Sequence, residues 1–284
     1  MTKSPSDSPR PLDHVVLPTA DLAIARQRLT ALGFTVSPVG IHPFGTVNCC
    51  VYLGDGTFLE PLAIGDSAAA GEAVAAGNVF VGRDSAFRNA HGDEGFSAVV
   101  FGTNDADADH SEFVAAGVSA GPRLDFSRPF VDASGKSDVA SFRLAFAAEP
   151  GSQGDAFFFT CERVNAPDVD RSALQAHANG ARRVLAVEAS VAEQAVAAEL
   201  LATVARSSVD AVSDIPLANA RLAVRAMAGS SGLRLDAMVF AVDDLAVARA
   251  LLARNGIAHD LSGQRLVIPP APGQGAAFIF EEKS

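Results

Sequence analysis

Two stretches far apart in the chain share one pattern of apolar and polar positions. Residues 12–34 read LDHVVLPTADLAIARQRLTALGF, and residues 235–257 read LDAMVFAVDDLAVARALLARNGI. Each opens on an apolar run that predicts a buried strand. Asp21 and Asp244 follow where a helix N-cap belongs, and a carboxylate there accepts the orphan N–H groups of the first turn. Apolar residues then recur at helical spacing: Leu22, Ala25, Leu29 and Leu32 in the first copy, Leu245, Ala248 and Leu252 in the other. Gly33 and Gly256 fall at the left-handed position that ends such a helix.

A third copy lies at 96–118 and a weaker fourth at 184–206. After each helix the pattern changes to short strand-like runs broken by Gly or Pro. In the first copy these are TVNCCVYL (46–53), a tight GDG turn (54–56) and TFLEPLAI (57–64). The pattern predicts an α+β fold of four β-α-β-β-β units. A lone unit leaves a sheet edge and an apolar face open, so units should pair. Units at 12–64 and 96–163 are expected to form a first domain over 12–163. Units at 181–227 and 233–283 are expected to form a second over 181–284. The polar, turn-rich segment 164–180 reads as a linker, and residues 1–11 as a disordered start with no apolar signal-peptide core.

Composition narrows the function classes. A chain of 284 residues, 49% hydrophobic, can bury a full core without disulfides or metal. Its 22 Lys+Arg against 33 Asp+Glu give a net charge of −11, which argues against nucleic acid as a partner. A local pocket can still be basic. Trp is absent and Tyr52 is the only tyrosine, so stacking platforms for sugars or single strands are not expected. No stretch has the length of a membrane span, and the expected location is cytoplasmic. Cys49, Cys50 and Cys161 form no C-x-x-C pair and read as buried reduced thiols. Asp105, Asp107 and Asp109 imitate a calcium loop, but His110 and Ala116 stand where Gly and Glu are required. GQG at 273–275 is a turn without the context of a nucleotide loop, so no nucleotide cofactor is expected.

The runs LDHVVLPTADL (12–22), HPFGTVN (42–48), GDGTFLEPLA (54–63), FRLAF (142–146) and HANGA (177–181) carry a resemblance. They are similar to the vicinal oxygen chelate superfamily, which includes glyoxalase I, extradiol dioxygenases and bleomycin-resistance proteins, and within it to the two-domain glyoxalase-like family. The resemblance implies that paired units close into a cup with a divalent metal (Zn, Mn, Fe or Ni) at its floor. It places the ligands on the first and last strands of each unit, at His14, Glu60 and Glu162. Ala98 stands where the second unit would supply another ligand, and Ala237 where the fourth would.

The resemblance also puts His42 near the cup mouth, as a general acid or base beside Glu60. Asn48, Cys50 and Tyr52 share one strand face, so Asn48 and Tyr52 become substrate-binding groups if that face looks inward. Arg143, charged within an apolar strand, wants either an anionic substrate group or a structural carboxylate. For His14 the alternatives are a metal or catalytic role and a hydrogen bond to Asp13. Two functions stay open. One is a metal-dependent lyase, isomerase or dioxygenase acting on a small oxygen-chelating substrate. The other is a metal-free small-molecule binding or resistance protein. A homodimer through the second domain is a further expectation.

Overall fold

The protein is described by a computed structural model over residues 8–131, 137–152, 154–167, 169–209, 214–229 and 232–282. The first unit is β1 (Leu12–Pro18), α1 (Leu22–Ala31), β2 (Val39–Ile41), β3 (Thr46–Cys49), β4 (Val51–Tyr52) and β5 (Phe58–Ile64). Two helices follow, α2 (Ser67–Ala75) and α3 (Val79–His91). The second unit is β6 (Ala98–Thr103), α4 (Ala106–Ala115), β7 (Leu124–Val131), β8 (Ser137–Ala147) and β9 (Phe157–Asn165). The third is β10 (Ala181–Val191), α5 (Gln194–Ala205), β11 (Asp214–Pro216) and β12 (Arg221–Ala226). The fourth is β13 (Arg234–Val242), α6 (Leu245–Arg254), β14 (Asp260–Ser262), β15 (Arg265–Ile268) and β16 (Ala277–Glu282).

The caps fall where the pattern put them. Asp21 accepts from the Ala23 N–H at 2.6 Å, Asp105 from Ala108 at 2.9 Å, and Asp244 from Ala246 at 2.8 Å. Gly33 (φ +87°) and Gly256 (φ +67°) take the left-handed conformation that closes each helix. Two elements depart from the pattern. The third unit shows two strands after its helix among the described residues, not three. The segment between Ile64 and Ala98, outside every repeat, folds into α2 and α3, and α3 presents Phe80 and Val81 to the inner core of the first sheet.

Units pair within the chain. In the first sheet the order is β2-β3-β5-β1-β6-β9-β8-β7, with β4 added on β5; in the second it is β11-β12-β10-β13-β16-β15-β14. Each sheet is mixed and is joined at its middle by the antiparallel first strands of two units, β1 with β6 and β10 with β13. Strand alternation gives every strand one face toward the helices and one toward the concave side. The helix-facing residues of both sheets share one apolar cluster that includes Leu29, Phe113, Leu201 and Leu252 from α1, α4, α5 and α6. The concave side of the first sheet has its own aromatic cluster, with Phe44, Phe80, Phe146 and Phe159. That of the second is small: Ala186, Ala237, Val239 and Ile279.

The two sheets are also tied by ions. Residues 1–7 of the expected disordered start lie outside the described residues, but Arg10 is buried at 4% exposure. Its guanidinium meets Asp109 at 2.6 Å and Glu112 at 3.0 Å on α4, and its backbone N–H donates to Ala205 O at the end of α5. Arg206, the one non-glycine residue with positive φ among those described, adds bonds to the same two carboxylates. The expected linker is likewise held. Thr35 N donates to His177 Nδ1 at 3.0 Å, His177 Nε2 donates to Tyr52 O at 2.9 Å, and Asn179 Nδ2 donates to Leu32 O at 2.9 Å. Among the described residues no helix is long and apolar enough to cross a membrane.

Removing Asp109, which is fully buried between two arginines, leaves both cations without their shared partner. Asp109→Ala is expected to lower unfolding stability by about 3–5 kcal/mol, the scale for breaking a buried ion pair. The midpoint of urea denaturation measures it.

Candidate active site

The concave face of the first sheet encloses a cavity of about 330 Å³. Its floor is built by β1, β3 and β5. These strands are adjacent because β5 runs parallel to β1 and antiparallel to β3. Within β5, Phe58, Glu60 and Leu62 share the inward parity. On β1, His14 and Val16 point the same way, with Val16 opposite Glu60. Asn48 enters from β3, opposite Leu62. His42 sits in the turn between β2 and β3, where its N–H donates to Thr46 O at 2.9 Å.

Four of the expected residues converge. Glu60 is 5% exposed. One carboxylate oxygen lies 3.4 Å from His14 Nε2; the other lies 3.6 Å from His42 Nε2 and accepts from Asn48 Nδ2 at 2.5 Å. The second nitrogen of each imidazole is occupied: His14 Nδ1 bonds Asp13 Oδ1 at 2.6 Å, and His42 Nδ1 bonds Thr46 Oγ1 at 2.8 Å. Asp13 is held in turn by two nitrogens of Arg163, at 2.7 and 2.8 Å. The His14 ring stacks on Phe58 at 4.3 Å and the His42 ring on Phe44 at 5.1 Å.

This arrangement sets the protonation states. Burial alone would raise the Glu60 pKa, but the His14 hydrogen bond, the charges of His42 and His14 and the Asn48 hydrogen bond outweigh it and take it down to about 2. Burial works against a charged His14, yet its bonds to Asp13 and Glu60 raise its pKa above the ordinary value. Burial takes His42 down to about 4, so its ring is neutral at pH 7 and carries the charge felt by Glu60 only in the acid range where Glu60 titrates. The thiols of Cys50 and Cys161, both on the cavity wall, are pushed far up by burial and stay protonated, which leaves no nucleophile among them.

Two expected residues fall elsewhere. Glu162 does not join His14 and Glu60. On β9 the residues facing the cup are Phe159, Cys161 and Arg163, so Glu162 points the other way and accepts from the Ala106 N–H at the start of α4, at 3.0 Å. Being one residue out of step is enough to move a strand side chain to the opposite face. Register identifies the true counterpart of Glu60. Ala98 pairs with Phe157 and Val100 with Phe159, as His14 pairs with Phe58 and Val16 with Glu60. The second unit thus carries Ala98 and Phe159 where the first carries His14 and Glu60. Arg143 also faces outward. It is 40% exposed and lies 3.8–3.9 Å from Asp107, Asp125 and Glu162, the structural-carboxylate alternative. Tyr52 does line the cavity, packed on Phe58 and beneath Arg171, whose guanidinium carbon is 5.1 Å from the ring centre.

The residues missing from the sequence reading are Thr46, Arg128, Arg163 and Arg171; the hydrogen bond from His14 to Asp13 is the one the sequence offered. Arg163 had a legible signal, since it shares parity with Cys161 on one strand. Arg128, on the β7–β8 hairpin, and Arg171, in the segment before the second domain, reach the cavity through long-range packing that no local pattern encodes. Among the described residues no three His, Cys, Asp or Glu side chains are spaced around a metal ion as they stand. His14 and His42 close directly on Glu60 instead.

Comparison with known proteins agrees with this fold. No curated protein sequence matches the chain. A hypothetical protein from Staphylococcus aureus superposes with a TM-score of 0.65 at 12% identity, covering 96% of this chain and 99% of that one. A mutant of 4-hydroxymandelate synthase from Streptomyces coelicolor gives 0.63 at 14% identity, covering 97% and 93%. The Mn(II)-bound glyoxalase from Novosphingobium aromaticivorans gives 0.52 at 12% identity, covering 97% and 82%. These likenesses are ones of fold. The model of the glyoxalase-like domain matches residues 12–205, more than half of the chain and all of the first cup. With a mixed-sheet cup built from two paired units of one chain, the protein belongs to the glyoxalase-like domain family of the vicinal oxygen chelate superfamily.

Proposed function

We propose that the first cup is the active site of a metal-dependent enzyme acting on a small substrate with two neighbouring oxygens, of lyase, isomerase or dioxygenase type. The observation that carries this reading is the convergence of two imidazole Nε2 atoms and one carboxylate on the cavity floor. The donor types, two imidazoles and a carboxylate, are ones that Zn, Mn, Fe or Ni take, although as they stand the three close on one another rather than around an ion. Metal-binding histidines commonly have their second nitrogen fixed by an acceptor, as Asp13 and Thr46 fix these two. His14, His42 and Glu60 would hold the ion, which when bound supplies Lewis-acid stabilisation of an oxyanion.

The chain's own groups divide the remaining work. Arg163 and Asp13 hold the His14 ring in one orientation. Asn48 holds Oε1 of Glu60 and His14 Nε2 faces Oε2, so the carboxylate is kept in one orientation and a proton on it would pass along the Oε2–His14 pair. The phenylalanines around the floor lower the local dielectric and so strengthen each of these interactions. Ala98 and Phe159 favour a second reading, in which the cup binds a small molecule without metal.

The purified protein is expected to hold about one divalent ion per chain, as a three-donor site does. His14→Ala and Glu60→Gln should lose it, and His42→Ala should weaken it by about tenfold or more. Elemental analysis and calorimetric titration measure both. Failure of the protein to take up any divalent ion, with ligand binding unchanged in His14→Ala, would overturn the metal reading in favour of the second.

Gly40 offers a subtler probe. A Cβ there would stand 2.3 Å from Asn48 Oδ1. Gly40→Ala should displace the amide from Glu60 and reduce metal affinity while leaving the far-UV circular dichroism intact.

A further inference from the structure

The charges around the cavity do not cancel. Arg163 is neutralised by Asp13, and Glu60 accepts from Asn48 and lies against His14. Arg128 and Arg171 also line the cavity, and among the described residues neither has an acidic partner. Arg128 lies with its guanidinium carbon 6.0 Å from the Phe142 ring centre, and Arg171 lies over Tyr52. Arg128 reaches deep. Its Nη1 is 2.6 Å, and Asn48 Oδ1 is 2.3 Å, from the point where a Cβ on Gly40 would stand. A guanidinium is therefore set beside the amide that holds Glu60. A half-buried cation between aromatic walls is costly without an anion, and this one sits in a chain of net charge −11.

Much of the rest of the wall is apolar. Phe58, Phe126 and Phe142 line it, and Phe126 and Phe142 stack at 5.0 Å. A site with an apolar belt and one forked cationic donor selects an organic anion with a compact apolar body. The planar guanidinium matches a carboxylate in particular.

We propose that this cavity binds a small organic carboxylate bearing a ring-sized apolar body. The carboxylate lies at Arg128, with Arg171 reinforcing it from the side of Tyr52, and the body packs on Phe58, Phe126 and Phe142. The inference rests on the first cup being a ligand site, and it names the substrate class of that site.

The chain contains its own reporter. Tyr52 is the only tyrosine, Trp is absent, and Tyr52 is on the cavity wall, so intrinsic tyrosine emission reads this cavity alone. The experiment titrates EDTA-treated, full-length protein with 3-cyclohexylpropionate, with uncharged 3-cyclohexylpropan-1-ol, and with acetate and inorganic phosphate. The cyclohexyl acid should change the emission saturably and bind about tenfold or more tighter than the alcohol, the scale of one charge-assisted hydrogen bond. Acetate and phosphate, lacking the apolar body, should bind more weakly than the cyclohexyl acid. Arg128→Gln should remove the preference for acid over alcohol while leaving the alcohol's affinity in place, which also shows that the variant is folded. If it does not fold, the acid–alcohol comparison on the native protein still decides.

Equal affinity for acid and alcohol overturns the proposal, as does a preference that persists in Arg128→Gln. Phosphate binding as tightly as the acid overturns the apolar requirement. Acid binding that appears only after a divalent metal is added, and ignores Arg128→Gln, places the carboxylate on the metal. That result sinks this inference while favouring the metal reading.

Discussion

A carboxylate buried among apolar strand residues is the constraint around which the first cup is organised. An uncompensated charge in such a place is unfavourable by several kcal/mol. Glu60 is compensated from three directions, by His14 on the neighbouring strand, Asn48 on the other neighbour and His42 from the turn between β2 and β3. Each partner is fixed by a further contact, and the chain of contacts runs from Arg163 through Asp13 and His14 to Glu60, then on through His42 to Thr46. The two ends come from different repeat units. The electrostatics of the floor therefore depend on both halves of the cup being closed.

The halves have diverged. Their backbones are equivalent, with the same strand pairing and the same capped helices. The side chains at equivalent register are His14 and Glu60 in one, Ala98 and Phe159 in the other. Replacing a polar pair by Ala and Phe turns one wall of the cup into packing surface and leaves the chemistry one-sided. In the second sheet the concave core shrinks to Ala186, Ala237, Val239 and Ile279. That sheet instead shares the helix layer behind the first cup and is pinned to it by Arg10 and Arg206 on Asp109. A rigid support of this kind suits a site whose donors must keep sub-ångström positions.

Much of the fold was legible because its signals are local. An Asp cap, an apolar stripe and a terminal glycine each act within one or two turns, so three copies stood out from spacing; the fourth, whose helix has Glu193 and Arg206 at its ends instead, was the weaker one. The helices between Ile64 and Ala98 escaped because they lie outside the repeat. Arg10 escaped because a Pro- and Ser-rich start looks solvated until α4 supplies Asp109 and the end of α5 supplies the Ala205 carbonyl. Glu162 and Arg143 looked like site residues because each is a charge beside an apolar run. A one-residue difference in parity sends both to the outer face.

By itself the sequence determined the unit of construction, the strand faces within the first unit, and the chemical identity of His14, His42, Asn48 and Glu60. Those follow from periodicities of two and 3.6, which any segment carries within itself. Only the tertiary structure decided which of these groups meet, that the second unit answers Glu60 with Phe159, and that Arg128 and Arg171 enter the same cavity. Register between strands and contacts across more than a hundred residues are set by the packing of whole sheets, and no local pattern encodes them.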